Sequence, residues 1–485
     1  MDVKKDSISG VIWTLTEKFG SRVLTLLIFL ILARLLEPDD FGVVAIVSSI
    51  MALVQILSEQ GFAAAIVQKP TLEKEDLDTS FWGSFGMNVI LMGILIGSSG
   101  FVAEYFERPE LEMLITVMSF NLVLHTFNIV QRSIFQRELK FKAIAIAQVI
   151  GIFVGGTVGV IAAFMDMGAW SLIYYLLTVG VIVNIVFWIQ SDYRIGFYFS
   201  WQRYKKLFAF GVNVMGSKLL FYGNAEFVNL LIGALISVEA AGLFTIASKV
   251  YSTFKDLLVN SLGRVALPIF SKLQNDVPQL RSVLISYSGK VNLLIFPICF
   301  SIAIMAKDVV LIGFGEKYLG SAVSMSWLMA SAGFLVLASY INDVLLAIDK
   351  SGTSFRANLV STVLNFMMFG IFYTFGLDYV ALGIFLRNAL MALIAPFFLP
   401  TELGQAKWTI FKDLGKAILA GTAVALPLYF WPEVPFGDIY YYVHLGGKVI
   451  VTIALYSVFI QLFDPSIIRL FASMLKGPLK MVFNK

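Results

Sequence analysis

Apolar runs of about twenty residues recur from one end of this chain to the other, each long enough to cross the hydrocarbon core of a bilayer as a helix. Of the 485 residues, 58% are hydrophobic and 14% charged, and mean hydropathy is +0.83. A soluble chain of this length needs a charged surface of roughly a quarter of its residues. That surface is missing, so lipid is the natural solvent. With about 20 residues per span as the ruler, some fourteen spans are expected: 9–32, 41–65, 79–101, 112–135, 141–164, 168–190, 208–236, 240–264, 283–305, 320–346, 354–376, 378–400, 412–430 and 443–463. The predicted class is all-α integral membrane. The first span carries Glu17, Lys18 and Arg22 and runs into Ala33-Arg34-Leu35-Leu36 without a small-residue cleavage pattern, as a retained helix does.

The connecting loops test this count. With the N-terminus inside, the even-numbered loops and both tails hold about 23 lysines and arginines. The opposite side holds Arg34, Arg108, Lys307 and Lys317. This asymmetry is the positive-inside pattern, and it predicts both termini in the cytoplasm. No loop exceeds about 20 residues, which leaves no room for a soluble catalytic domain. The single cysteine, Cys299, has no internal disulfide partner, and His125 and His444 form no metal-ligand cluster. No metal or cofactor is expected. Neither a Walker A loop nor HExxH occurs. Asp76-Leu77-Asp78 matches a sugar-nucleotide D-x-D pattern by accident, in a loop where Asp78 and Thr79 can start the third span.

The chain also repeats itself at an offset of about 200 residues. Ala33-Arg34-Leu35-Leu36-Glu37-Pro38-Asp39-Asp40-Phe41-Gly42 lies against Gly233-Ala234-Leu235-Ile236-Ser237-Val238-Glu239-Ala240-Ala241-Gly242. Ile46 meets Ile246, Ser48 meets Ser248, and Lys18 meets Lys218. An even number of spans separates the copies, so the repeat is parallel, with its axis along the membrane normal. Two six-helix lobes follow, 1–204 and 205–402, with two added helices and a tail in 403–485. The space between such lobes is the expected substrate path.

The stretch from Gly10 and Trp13 through ARLLEPDDFGVVAI resembles the opening of the Wzx-type polysaccharide transporters, in the multidrug/oligosaccharidyl-lipid/polysaccharide exporter superfamily. The likeness continues in SEQGFAAAIVQK (58–69), LDTSFW (77–82), QRSIFQRELKFKAIA (131–145), FVNLLIGALISVEAAGLFTIASKV (227–250) and RVALPIFSKLQND (264–276). It covers about the first 400 residues, and the WzxC-like branch is the nearest. The resemblance implies a flippase moving undecaprenyl-diphosphate-linked oligosaccharide across the bacterial inner membrane by alternating access. It also implies a polysaccharide polymerase and export machinery as partners, beside membrane lipids; no nucleic acid is expected. Two departures bear on ion coupling: Val228 replaces an aspartate of this branch in the seventh span, with Glu226 two residues earlier, and Glu59 stands where the family often has aspartate.

Charge inside an apolar span costs about 2.5–3.5 kcal/mol on insertion scales, so such residues face a cavity or a partner. Lys18 and Arg22 share a face of the first span. Lys218, Tyr222, Glu226 and Asn229 stripe the seventh span, and Lys249, Thr253, Asp256 and Asn260 the eighth. Asn342-Asp343 lie in the tenth and Arg387-Asn388 in the twelfth. Lys18, Arg22, Lys218, Lys249 and Arg387 are therefore the expected cationic cleft for a diphosphate, which needs neutralising in a low-dielectric cavity. Glu17, Glu226 and Asp256 are candidates for ion coupling. The competing reading gives these acids to neighbouring cations as structural ion pairs. Alternative functions are a cation-coupled multidrug exporter of the same superfamily, which would need a compact acidic site, or a membrane glycosyltransferase or ligase, which would need a large external loop or domain. A catalytic role is not expected.

Overall fold

The computed structural model describes residues 20–463 apart from Gln60, Pro70, Glu433 and Asp438, with all side chains except those of Phe210, Asn213, Val214, 217–223, Leu257, 260–262, Arg264, Val265, Leu462 and Phe463. The described residues form helices and their connections, without a strand. In chain order these are α1 (20–35), α2 (Pro38–Glu59), α3 (Phe62–Gln68), α4 (Lys74–Tyr105), α5 (Glu110–Arg137), α6 (Phe141–Phe164), α7 (Ala169–Gln190), α8 (Trp201–Leu235) and α9 (Val238–Lys272). There follow α10 (Val277–Ile304), α11 (Ala306–Gly313), α12 (Ala322–Ala347), α13 (Ser351–Phe372), α14 (Leu377–Ile394), α15 (Gly404–Tyr429) and α16 (Ile439–Phe463). Among the described residues, ten helical segments are long and apolar enough to cross a membrane. The other expected spans coincide with α1, α8, α9 and α15, which carry charge within their apolar stretches. The chain is an all-α, multi-span integral membrane protein.

Two expectations change. The second span, expected over 41–65, is not one helix: α2 ends at Glu59, Gly61 is left-handed at φ 67°, and α3 begins at Phe62. Only glycine takes that conformation without strain, and a Cβ there would lie 2.3 Å from Gly211 Cα on α8. The third span starts a turn earlier than Asp78, at Lys74, because Glu73 and Asp76 form a reciprocal capping box that satisfies two of the first orphan N–H groups.

The chain divides into two compact units, Met1–Thr245 and Ile246–Lys485, and the division falls inside α9. In the first unit α8 packs along α2, and α6 packs on α7. The α6–α7 approach is close because Gly151, Gly155 and Gly159 stand on one face of α6 against Val183, Val179 and Tyr175. One end of this unit is held by ions. Asp76, 1% exposed, binds Lys69 and accepts from Arg203 Nη1 at 2.9 Å, while Arg203 Nη2 lies 2.6 Å from Glu73. At the α2 and α5 N-termini, Arg108 Nη1 donates to Asp39 at 2.7 Å.

The second unit packs α10 and α12 around α14 and α15, with Phe296, Cys299, Leu337, Val344, Ala406 and Ile410 in its core. Within that core Ser288 and Tyr340 hydroxyls are 2.7 Å apart, and Asn292 Nδ2 reaches both at 3.3 Å. Most of α16 faces outward. Its anchor is Asp308 of α11, which accepts from Lys448 Nζ and Tyr441 Oη, each at 2.8 Å.

Candidate functional site

Two polar centres lie on spanning helices, one in each unit. In the second unit, α14 presents Arg387 and Asn388 toward α9 and α12. Arg387 Nη2 donates to Asn388 Oδ1 at 2.5 Å. Asn388 Nδ2 in turn donates to Ser331 Oγ of α12 at 2.9 Å and to Tyr251 Oη of α9 at 3.4 Å. This orients Asn388 so that its carbonyl faces the guanidinium. Arg387 Nε is buried without a hydrogen-bond partner, and no carboxylate among the described residues pairs with this arginine. A cation in an apolar span, oriented by an amide and without a carboxylate partner among the described residues, can accept an anion.

Lys249 and Asp256 belong to the same unit. They stand two turns apart on one face of α9, half-buried, and interact electrostatically. The Lys249 carbonyl accepts from Ser252 and Thr253 hydroxyls at 3.0 and 2.8 Å. Tyr251, two residues on, looks out from a different side of the helix.

In the first unit, Glu226 of α8 is half-buried, and its Oε2 accepts from Ser49 Oγ of α2 at 3.1 Å. Arg22 is half-buried on α1. Glu17 and Lys18 lie outside the described residues, as does the side chain of Lys218, whose backbone is part of α8. The expected cations and acids are thus distributed: Arg22 and Glu226 in one unit, Lys249, Asp256 and Arg387 in the other.

Both carboxylates of the D-x-D stretch are occupied structurally. Asp76 holds the ion cluster described above. Asp78 Oδ1 accepts from Tyr193 Oη at 2.6 Å and from the Gly196 N–H at 3.0 Å. The Asp308–Lys448–Tyr441 anchor was missed in the sequence. Lys448, a lone cation in the span 443–463, was its one visible signal; its partner lies 140 positions away.

Comparison with known proteins adds to this geometry. The model of a family described as polysaccharide biosynthesis protein matches residues 31–323. An uncharacterized membrane protein in the cps region of Klebsiella pneumoniae is 25% identical over 407 residues, 82% of this chain and 83% of that one. The lipopolysaccharide biosynthesis protein WzxC of Escherichia coli K12 is 24% identical over 367 residues, 75% of this chain and 74% of that one. In fold, the chain is similar to the lipid II flippase MurJ in an inward closed conformation, with a TM-score of 0.75 at 16% identity, covering 94% of this chain and 100% of that one.

Proposed function

The chain belongs to the polysaccharide biosynthesis protein family, and from that premise we propose that it is a flippase for undecaprenyl-diphosphate-linked oligosaccharide repeat units. It carries them across the bacterial inner membrane for exopolysaccharide, O-antigen or capsule assembly, and it is a transporter, not an enzyme. The observation that carries the reading is Arg387, an oriented guanidinium on a spanning helix with no carboxylate partner among the described residues. A diphosphate supplies the charge that such a cation lacks, and the pairing is strongest where water is excluded.

Arg22 and Lys249, with Lys18 and Lys218, complete the proposed substrate-binding set. The repeat halves 1–204 and 205–402 alternate access, and the C-terminal helices of 403–485 are an addition. Both termini are cytoplasmic, on the loop-charge asymmetry. Polysaccharide polymerase and export machinery are the proposed partners downstream. An ion gradient or the substrate gradient drives the cycle, with Glu226, Asp256 and Glu17 as the acids whose protonation frees a cation for the diphosphate.

Deletion in the native host tests the function. Lipid-linked sugar is expected to accumulate on the cytoplasmic face and to be cleared by this gene. The variant carrying alanine at Lys18, Arg22, Lys218, Lys249 and Arg387 together is expected to insert normally but fail to clear it. Full clearance by that variant would remove the cationic-cleft reading while leaving the flippase assignment in place. Transport in vesicles that ignores imposed pH and sodium gradients, with Glu226→Gln behaving as wild type, would retire Glu226 as a coupling acid.

A further inference from the structure

The connection between α7 and α8, residues 191–200, is extended and leaves its most apolar side chains uncovered. Phe197 is 96% exposed, Trp201 58% and Phe199 48%. Disorder does not explain this, because the segment is pinned along α4. Asp78 takes the Tyr193 hydroxyl and the Gly196 N–H, Trp82 Nε1 donates to the Gly196 carbonyl at 2.8 Å, and the Ser200 N–H reaches Thr79 Oγ1 at 3.3 Å. A Cβ on Gly196 would stand 2.3 Å from Asp78 Oδ2, so the seat admits no side chain there. The exposed rings are themselves ordered: Phe197 stacks on Trp82 at 5.7 Å, and Trp201 lies on Tyr204 at 5.1 Å with only 7° between the planes.

Cations accompany these rings along the same segment. Arg194, Lys205 and Lys206 are exposed, and Lys205 Nζ sits 5.5 Å over the Trp201 ring. Asp192 is exposed in the same segment, while the nearby carboxylates of Glu73 and Asp76 are taken by Arg203. The segment joins the ends of two spanning helices, which places it at the level of the headgroups. Rings that insert at the acyl boundary beside cations that stay among phosphates are the pattern of an interfacial anchor.

We propose that residues 191–206 form a rigid shelf that binds anionic phospholipid headgroups, with Phe197, Phe199 and Trp201 dipping toward the acyl chains and Arg194, Lys205 and Lys206 contacting phosphate. Charge complementarity and height in the membrane favour lipid over a protein partner. The shelf fixes the α7–α8 connection to the membrane surface independently of what the transporter carries.

The test uses full-length protein with Cys299→Ser and Phe197→Cys, labelled with an environment-sensitive dye. The vesicles hold equal parts phosphatidylcholine and phosphatidylglycerol, with bromine on the acyl chains of one lipid or the other. Blue-shifted emission is expected, with stronger quenching by brominated phosphatidylglycerol. Adding Arg194→Gln, Lys205→Gln and Lys206→Gln is expected to abolish the preference, each cation contributing on the order of fivefold. Equal quenching by both lipids in the unmodified shelf overturns the headgroup site. Free quenching by aqueous iodide overturns membrane contact and assigns the surface to a protein partner. Native mass spectrometry of the unlabelled protein gives a second reading that does not depend on Phe197→Cys: retained phosphatidylglycerol is expected for the natural sequence and its loss for the triple glutamine variant, and equal retention by the two overturns the proposal.

Discussion

Gly42 and Gly242 meet in a reciprocal contact at the N-terminal turns of α2 and α9. A Cβ on Gly42 would lie 2.0 Å from the Val238 carbonyl oxygen, and one on Gly242 would lie 1.9 Å from that of Pro38. Pro38 and Val238 differ by 200 positions, as do the two glycines. Exchanging each residue for its counterpart 200 positions away therefore maps the contact onto itself. Two backbones approach here as only glycine permits.

Alanine at either glycine is expected to force the two turns apart, at about 1–3 kcal/mol of overpacking strain. Thermal unfolding in detergent should show a lower midpoint for Gly42→Ala and for Gly242→Ala. The double variant should cost less than the sum, because either methyl group alone opens the shared contact. Strict additivity would mean that the two positions are independent.

Asp76 is buried between Lys69 and Arg203, and those interactions outweigh its burial to hold its side chain in the ionised form that both cations require. Asp76→Asn removes the charge and half of the capping box, and should cost about 2 kcal/mol, since both cations are part-exposed and partly screened. Hydrogen exchange is the sharper readout: amides of α3 and of the first turns of α4 and α8 should lose protection together, while those of α10 stay unchanged.

Burial, and secondly the Asp78 carboxylate beside it, hold the Tyr193 phenol well above the ordinary tyrosine range. A raised folded value means that this stabilisation is fully present below about pH 10, the unfolded tyrosine value, and is lost as pH rises toward the folded one. Tyr193→Phe is expected to lower stability by about 1–2 kcal/mol at neutral pH, as Asp78 keeps only the Gly196 N–H. It should also flatten the decline in stability expected as pH rises above about 10. An unchanged alkaline limb would place the titrating group elsewhere.

Lys448 ties α16 to Asp308, with the two side chains 15% and 11% exposed. Breaking one partner leaves the other charge in a poor environment, so Lys448→Met and Asp308→Asn are each expected to destabilise the α16 attachment by about 2–3 kcal/mol. The double variant should recover part of that loss. Limited proteolysis in the 430–438 connection, compared across the four proteins, reads the effect directly.

Span positions were legible because crossing a bilayer is a local property: length and apolarity suffice, and the long helices fall on the expected segments, with the second broken at Gly61. The sequence aligns Gly42 with Gly242 at an offset of 200 residues, but their contact is a matter of packing. Intramembrane charge was visible as well, including Arg387 and Glu226, because a charged letter in an apolar run needs no neighbour to be noticed.

Pairing was not legible. Asp308 finds Lys448, Glu226 finds Ser49, and Asn388 finds Tyr251 across separations of 140, 177 and 137 residues. Spacing within one helix cannot report such partners. The break at Gly61 depends likewise on the approach of Gly211, and the start of α4 on a capping box that outcompeted Asp78. Hydrophobic length determined where the helices lie, since it acts residue by residue along the chain. Only the packing of those helices decided which charges find partners, as Asp308 does in Lys448, because electrostatic partnership depends on distance in space.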